Sequence, residues 1–531
     1  MKNRSIKLFA AASLVSLAIG GAGCGKISDF GDTNTNPNSV TSPVTAALLT
    51  NALQVTGPNA LGVNTFQGPR AALYCQYISE TQYTDAQQYS LPILESGALY
   101  SGTATIPGPL MDLKVIINRN SDPTLAAATS VYGSNANQIS TAKILSSYYL
   151  WTITDKWGDV PYSEALQGAA NLFPKYDMQL DIYKGLFKDL ADAVAGFDGG
   201  LPVRGDIVYS GNIASWKKFA NSLRVVMAMR LSKQYPNAGE LAATEFAAAL
   251  APSQGGVITT NAENFKVDYS NGGGVYNHPW FDEYFTNVRD DYALSKTMAD
   301  CLAGLGDTRR SAFGSTQPGA PGIAFPYGLT RDLATAFTTS IGGPSNYARV
   351  LESSKRTAGS PVVVLNASTV LLAQAEAVQR GWITGSAQAL YEAGVTASFG
   401  EWGLTVPAGY FTGAASFTSG GGVPAIGQAP APYDAIPADQ DAATPTALSR
   451  IQLQRWLAAF PNGGEGWAEW RRTGVPDLKP TRFATNSGKG IPRRYMYGPS
   501  ESSLNGTNLA AAIARLTGGD VAEARVWWDK P

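Results

Sequence analysis

Four stretches of this 531-residue chain repeat an apolar side chain every three or four residues, a period that suits a helix burying one face. In TAKILSSYYLWTITDKWG the stripe is Ala142, Leu145, Tyr149 and Ile153. In DMQLDIYKGLFKDLADAVAGF it is Leu180, Tyr183, Phe187, Leu190, Val194 and Phe197, with Asp177 available as the cap. NIASWKKFANSLRVVMAMRLSK carries Trp216, Phe219, Leu223, Met227 and Leu231. The fourth, STVLLAQAEAVQRG, ends at Gly381 as a C-cap, and a partner helix, SAQALYEAGVTASF, follows within a few residues. These stripes predict a mostly α fold, with helix hairpins over about 139–250 and 366–400. Two intervals lack the period, about 255–360 and 403–446, where Gly and Pro turns and scattered aromatics read as loop-rich insertions. Long loops on a helical scaffold commonly carry function.

The pair AQAEAVQRGWITGSAQALYEAGVTASF resembles a tetratricopeptide hairpin. Ala375 and Ala389 are the small residues expected where its helices approach, and Tyr391 and Phe399 its packing knobs. The earlier helices show no regular 34-residue repeat, the spacing of that class.

The N-terminus has a different logic. Lys2, Arg4 and Lys7 precede an apolar run from Leu8 to Ile19, which leads into Gly20, Gly21, Ala22, Gly23 and then Cys24. A charged start, a short apolar core and small residues make residues 1–23 a secretory signal peptide. The cysteine directly after them resembles the lipobox of bacterial lipoproteins, with Gly21 where Leu is usual, and Cys24 is therefore expected to be acylated and to begin the mature chain. Residues 24–43 follow as a tether, because Ser28 to Pro43 is too polar and Pro-rich to bury a core. That leaves 44–531 as one domain. No later run reaches the ~18 apolar residues of a membrane-spanning helix, so the acyl chains would be the membrane attachment.

Composition narrows the chemistry. Loss of residues 1–23 removes three of the 40 basic residues and none of the 41 acidic ones, so the mature formal charge is −4. Nucleic acid is disfavoured as a partner, since phosphate-driven binding needs clustered Lys and Arg. His278 is the only histidine, which removes His-paired nucleophiles and HExxH metal sites. No metal and no cofactor is expected. Beyond Cys24, only Cys75 and Cys301 remain; a single pairing is open, with two buried free thiols the simpler expectation. Carboxylate chemistry survives these exclusions, so a carboxylate-dependent glycoside hydrolase stands as an alternative to a binding protein.

The chain is rich in aromatics, with 24 Tyr, 19 Phe and 11 Trp. Most must form core, but rings on loops can stack on sugar faces or side chains. GGGVYNHPWFDEYFTNVRDDYALS interleaves rings with amide, acid and guanidinium groups, and Tyr276, Asn277, Trp280, Tyr284 and Arg289 are its candidate ligand contacts. In YISETQYTDAQQYS, Tyr77, Tyr83 and Tyr89 lie six apart, neither a helical nor a strand period, and Tyr83 and Tyr89 join the candidates as loop-displayed rings. Asp155, Asp159 and Glu164 in DKWGDVPYSE read as turn-fixing oxygens rather than a cation site. Glu465, Glu469, Arg471 and Arg472 among Trp467 and Trp470 read as ionic ordering of a packed C-terminal layer.

Several blocks together resemble the SusD/RagB family of outer-membrane lipoproteins: YYLWTITDKWGDVPYSEALQG, GDIVYSGNIASWKKFANSLRVVMAMRLS, VRDDYALSKTMAD, LLAQAEAVQRG, GEGWAEWRRTGVPDL, IPRRYMYGPSE and RVWWDKP. They run in the family's order along nearly the whole mature chain. The resemblance implies a mostly α, SusD-like fold with tetratricopeptide-like hairpins and a ligand site in the loops beside them. It further implies a lipid anchor on the outer membrane, capture of a glycan or peptide nutrient, and a SusC-like TonB-dependent transporter as partner. A purely structural surface protein would have no use for such aromatic loops.

Overall fold

Each apolar stripe lies on a helix in the computed structural model, which describes residues 43–63, 68–90, 93–102, 108–269, 276–317, 319–412 and 447–531. The chain divides into Met1–Val44, of which residues 43 and 44 are described, and a compact unit Thr45–Pro531. Cys24, the expected signal segment and nearly all of the expected tether thus lie outside the described residues, as does the second loop-rich interval from residue 413 on.

The elements that frame the molecule are, in chain order, α1 (Thr45–Leu61), α2 (Arg70–Tyr74), β1 (Ile78–Glu80), α3 (Pro109–Ser121), α4 (Asn135–Trp157), α5 (Gln179–Gly196), α6 (Ile213–Arg230) and α7 (Leu241–Ala249). They continue with β2 (Phe265–Val267), β3 (Tyr292–Leu294), α8 (Lys296–Leu305), α9 (Arg331–Ser340), β4 (Val362–Leu365), α10 (Ala367–Gln379), α11 (Ala387–Glu401), α12 (Ala447–Ala458) and α13 (Gly463–Thr473). Helix packs on helix throughout: α4 against α3 and α5, α6 against α5, α7 and α10, and α10 against α11 and α12. Strands are short and, among the described residues, occur as two-stranded pairs, including β1 with β3 and β2 with β4, both antiparallel.

Caps follow residue chemistry. Ser134, Asn212, Asn366, Ser386 and Asn462 each accept a first-turn N–H at the start of α4, α6, α10, α11 and α13. Asp177 does not cap α5. Its bridge to Val160 turns the carboxylate onto the preceding loop, where it accepts the Tyr162 and Ser163 N–H groups at 3.1 and 2.8 Å. Asp159 takes the capping role and accepts from the Gln179 N–H at 2.8 Å.

The α10–α11 hairpin buries Tyr391 and Phe399, but its helices meet closest at Gly394, where a Cβ would lie 2.7 Å from Leu372. Ala375 is buried as expected, whereas Ala389 is exposed. Five residues from Gly394, at ~100° per residue, Ala389 falls on another face of α11. The 255–360 interval is also more ordered than its turns suggested. It holds α8 and α9, and α9 packs Leu333 and Phe337 onto a small second core of Ala293, Phe325, Leu329, Ala334 and Tyr347.

A buried ionic lattice ties the main helices together. Arg230 on α6 reaches Asp155 on α4 at 3.1 Å and Glu469 on α13 at 3.2 Å. Arg455 on α12 holds Glu469 at 2.7 Å, and Arg472 on α13 bridges Glu469 and Glu376 of α10, each at 2.7 Å. Burial opposes charge on Glu376, but Arg472, Arg380 and Arg455 outweigh it and hold the carboxyl down at about 2. Arg471 lies over the Trp467 and Trp528 rings and donates to the Asp155 and Arg493 carbonyls.

Candidate functional site

The pairing of β1 with β3 brings two distant loops to one edge. Glu80 stands opposite Tyr292, and the register continues past the strands, where the Thr81 N–H donates to the Asp291 carbonyl at 2.9 Å. The chain after β1 then folds back on itself. Buried Gln87 accepts the Glu80 N–H at 3.0 Å, donates its own N–H to the Glu80 carboxylate at 2.8 Å, and sends its side-chain amide to the Leu329 carbonyl at 3.2 Å. Gln88 donates to the same carbonyl at 3.2 Å. Residues 80–90, 286–291 and 328–331 are thereby fastened side by side.

This frame presents Tyr83, which is 52 % exposed. The guanidinium carbons of Arg289 and Arg331 lie 5.4 and 5.5 Å from the centre of its ring. Arg289 is anchored by Asp291 at 2.6 Å. Beside it Val288 is 80 % exposed and holds φ +51°, a conformation that a β-branched residue rarely adopts. Backbone strain of this kind tends to gather at ligand-contacting loops. An exposed ring with fork-shaped donors over it can contact a sugar or an acidic group, with direction supplied by the guanidinium N–H groups.

The other expected contacts lie elsewhere. Trp280 is 1 % exposed; its indole stacks on Tyr284 at 5.7 Å and meets Tyr292 edge-on, so it is core, not a binding ring. Tyr284 is buried too, its hydroxyl accepting the Val350 N–H at 3.0 Å and donating to the Tyr292 carbonyl at 2.9 Å. Tyr89 closes the 81–89 turn at φ +64° and buries its ring against Tyr74, while Tyr77 is buried against Trp456 and Phe460. Of the three tyrosines six apart, Tyr83 alone is displayed. Tyr276 is 46 % exposed, and Asn277 donates to Asp282 at 2.9 Å, on a segment for which no contact with Tyr83 is seen among the described residues. Arg331 escaped the sequence reading because it sits in an interval taken as loop. Leu333 and Phe337 carried the signal for its helix, but nothing local linked it to Tyr83.

Several other polar groups are committed to the fold. His278 is buried, accepts the Trp280 N–H on Nδ1 at 3.2 Å, and is pushed down to about 3 by burial. Asp290 binds Arg349 through two bonds of 2.6 and 2.9 Å. Glu283 is buried behind Arg289 and raised to about 7 by burial and by Asp291. Asp155 accepts from Tyr183 and Trp528 at 2.5 and 2.8 Å, and Glu164 from Asn171 at 3.0 Å, so both fix local structure. Cys75 and Cys301 are free and buried. Among the described residues no group of three His, Cys, Asp or Glu side chains is arranged to hold a metal. A cavity of about 50 Å³ lies among Tyr148, Lys156, Asn366, Glu401 and Arg471, with room for a few waters.

The chain as a whole is similar to known proteins. The model of the SusD-like family described as "Starch-binding associating with outer membrane" matches residues 37–498. A chitin-binding SusD homolog from Flavobacterium johnsoniae is 25 % identical, with 92 % of this chain and 98 % of that one aligned at a TM-score of 0.67. A SusD homolog from Bacteroides uniformis, also 25 % identical, aligns over 92 % of this chain and all of its own with a TM-score of 0.74. No curated protein sequence matches the chain.

Proposed function

Because this chain belongs to the SusD-like family, we propose that it is a surface lipoprotein that captures a nutrient glycan and hands it to a SusC-like TonB-dependent outer-membrane transporter. The observation that carries the reading is Tyr83, exposed with two guanidinium groups over its ring on loops that the β1–β3 pair and Gln87 hold in place. A displayed ring on a braced frame meets a ligand with little ordering cost, which favours capture. Chitin binding by a solved relative and starch binding in the family description support a glycan over a peptide as cargo. Acylation of Cys24 would supply the anchor, and no helix among the described residues is long and apolar enough to cross a membrane. Cargo transfer requires the Tyr83 face to open toward the transporter mouth.

The hydrolase alternative needs two carboxyl groups about 5 to 9 Å apart across an open cleft. Beside Tyr83, Asp290 and Asp291 are held by arginines and Glu283 is buried, so we read the site as binding without turnover. Incubation of labelled oligosaccharides with the protein tests both readings: retention of intact glycan is expected, and steady release of shorter products would replace capture with hydrolysis.

A further inference from the structure

Two cations share the approach to one ring. Arg289 is neutralised by Asp291, but Arg331 is exposed, and its recorded contact is with the Tyr83 ring; no carboxylate among the described residues forms an ion pair with it. The other nearby acids are accounted for: Asp290 is committed to Arg349, and Glu283 is buried. Asp85 and Asp332 are exposed close in sequence to Tyr83 and Arg331, yet neither pairs with Arg331. A neutral sugar stacking on Tyr83 would compete with two guanidinium groups for the ring. A carboxylate or sulfate would gain the free guanidinium fork of Arg331.

We propose that the Tyr83 face selects acidic glycans, with Arg331 receiving a carboxylate or sulfate of the sugar and Arg289 and Tyr83 fixing the adjoining residue. This deepens, and rests on, the reading of that face as the cargo site.

The test is titration of the full-length protein in mild detergent with oligogalacturonate, a sulfated chondroitin hexasaccharide, maltohexaose, chitohexaose and a glutamate-rich decapeptide. At least one acidic glycan should bind about tenfold or more tighter than both neutral ones, the scale of one charge-assisted fork. That preference should shrink as NaCl rises from about 50 to 300 mM, because an exposed pair is screened. Arg331→Gln should abolish the preference, and Arg331→Lys, which keeps charge without the fork, should retain part of it. Both variants should unfold like the wild type, since Arg331 is exposed. Equal or tighter binding of a neutral glycan, no binding of either acidic glycan, or an unchanged preference in Arg331→Gln overturns the inference. Tyr83-dependent binding of neutral glycans would leave the capture reading standing, whereas binding of the peptide and of no glycan would remove both.

Discussion

Tyr83 and Trp280 are both aromatic residues on segments that mix rings with polar groups, and their surroundings differ: one ring is displayed, the other buried. Trp280 stacks within the core, so Trp280→Ala should cost about 3 to 5 kcal/mol of stability, as large-to-small core changes do. Tyr83→Ala should change stability by less than about 1 kcal/mol, because the ring is half exposed. Urea denaturation of the two variants checks both values. Glu80 offers a second test at this scale. Burial raises its carboxyl to about 8, against the ordinary value of 4.5, although the Gln87 N–H works the other way. The folded chain therefore holds that proton more tightly than the unfolded chain. Stability from this group is complete below about pH 4.5 and is lost as pH rises toward 8. Glu80→Gln keeps an oxygen for the Gln87 N–H and removes the titration. Measured against the wild type, the variant should gain stability progressively between pH 5 and 8, by up to about 1.4 kcal/mol per unit. A difference that stays constant with pH would show that Glu80 does not titrate in this window.

Among the elements, α13 shows how small residues set the packing. Gly463 lies against the α2 backbone at Ala72, and a Cβ on Gly466 would collide with the Tyr77 hydroxyl, which donates to the Trp456 carbonyl. Gly466→Ala should lower stability by about 1 to 3 kcal/mol through overpacking, read by thermal unfolding. Periodicity made α4, α5, α6, α10 and α11 legible, because each keeps an apolar stripe on one face. It failed for α12 and α13, where buried arginines and glutamates pair with one another and erase the stripe. The grouping of Glu465, Glu469, Arg471 and Arg472 as an ionic layer was readable from composition, but Arg230, Arg455 and Glu376 arrive from distant helices. The site divides the same way. Tyr83 and Arg289 could be named as residue types on loops, whereas their contact depends on the β1–β3 register and Arg331 on a fold-back through Gln87. Trp280 and Tyr284 misled for a physical reason, since loop composition around a ring does not reveal which way the ring faces.

At the scale of the whole molecule, capture makes sense only at a surface. Acylation at Cys24 predicts that Cys24→Ser will release the protein from the outer-membrane fraction and abolish palmitate labelling. Each buried CH₂ of an acyl chain contributes ~0.8 kcal/mol, so two or three chains hold firmly where one would not. Mutant protein that stays labelled and membrane-bound would contradict the anchor. Wild-type protein extracted in mild detergent should also carry a large β-barrel in near-equal amount, and a lipoprotein that migrates alone would argue against delivery to a transporter. The most direct test of the account is the binding isotherm of one captured oligosaccharide, measured per folded molecule for the wild type, Tyr83→Ala and Trp280→Ala. Tyr83→Ala should lose about 1 to 3 kcal/mol of affinity, the range of an interface anchor, and Trp280→Ala should bind normally once its unfolded fraction is discounted. Unchanged affinity in Tyr83→Ala, with lost affinity in a fully folded Trp280→Ala, would contradict it.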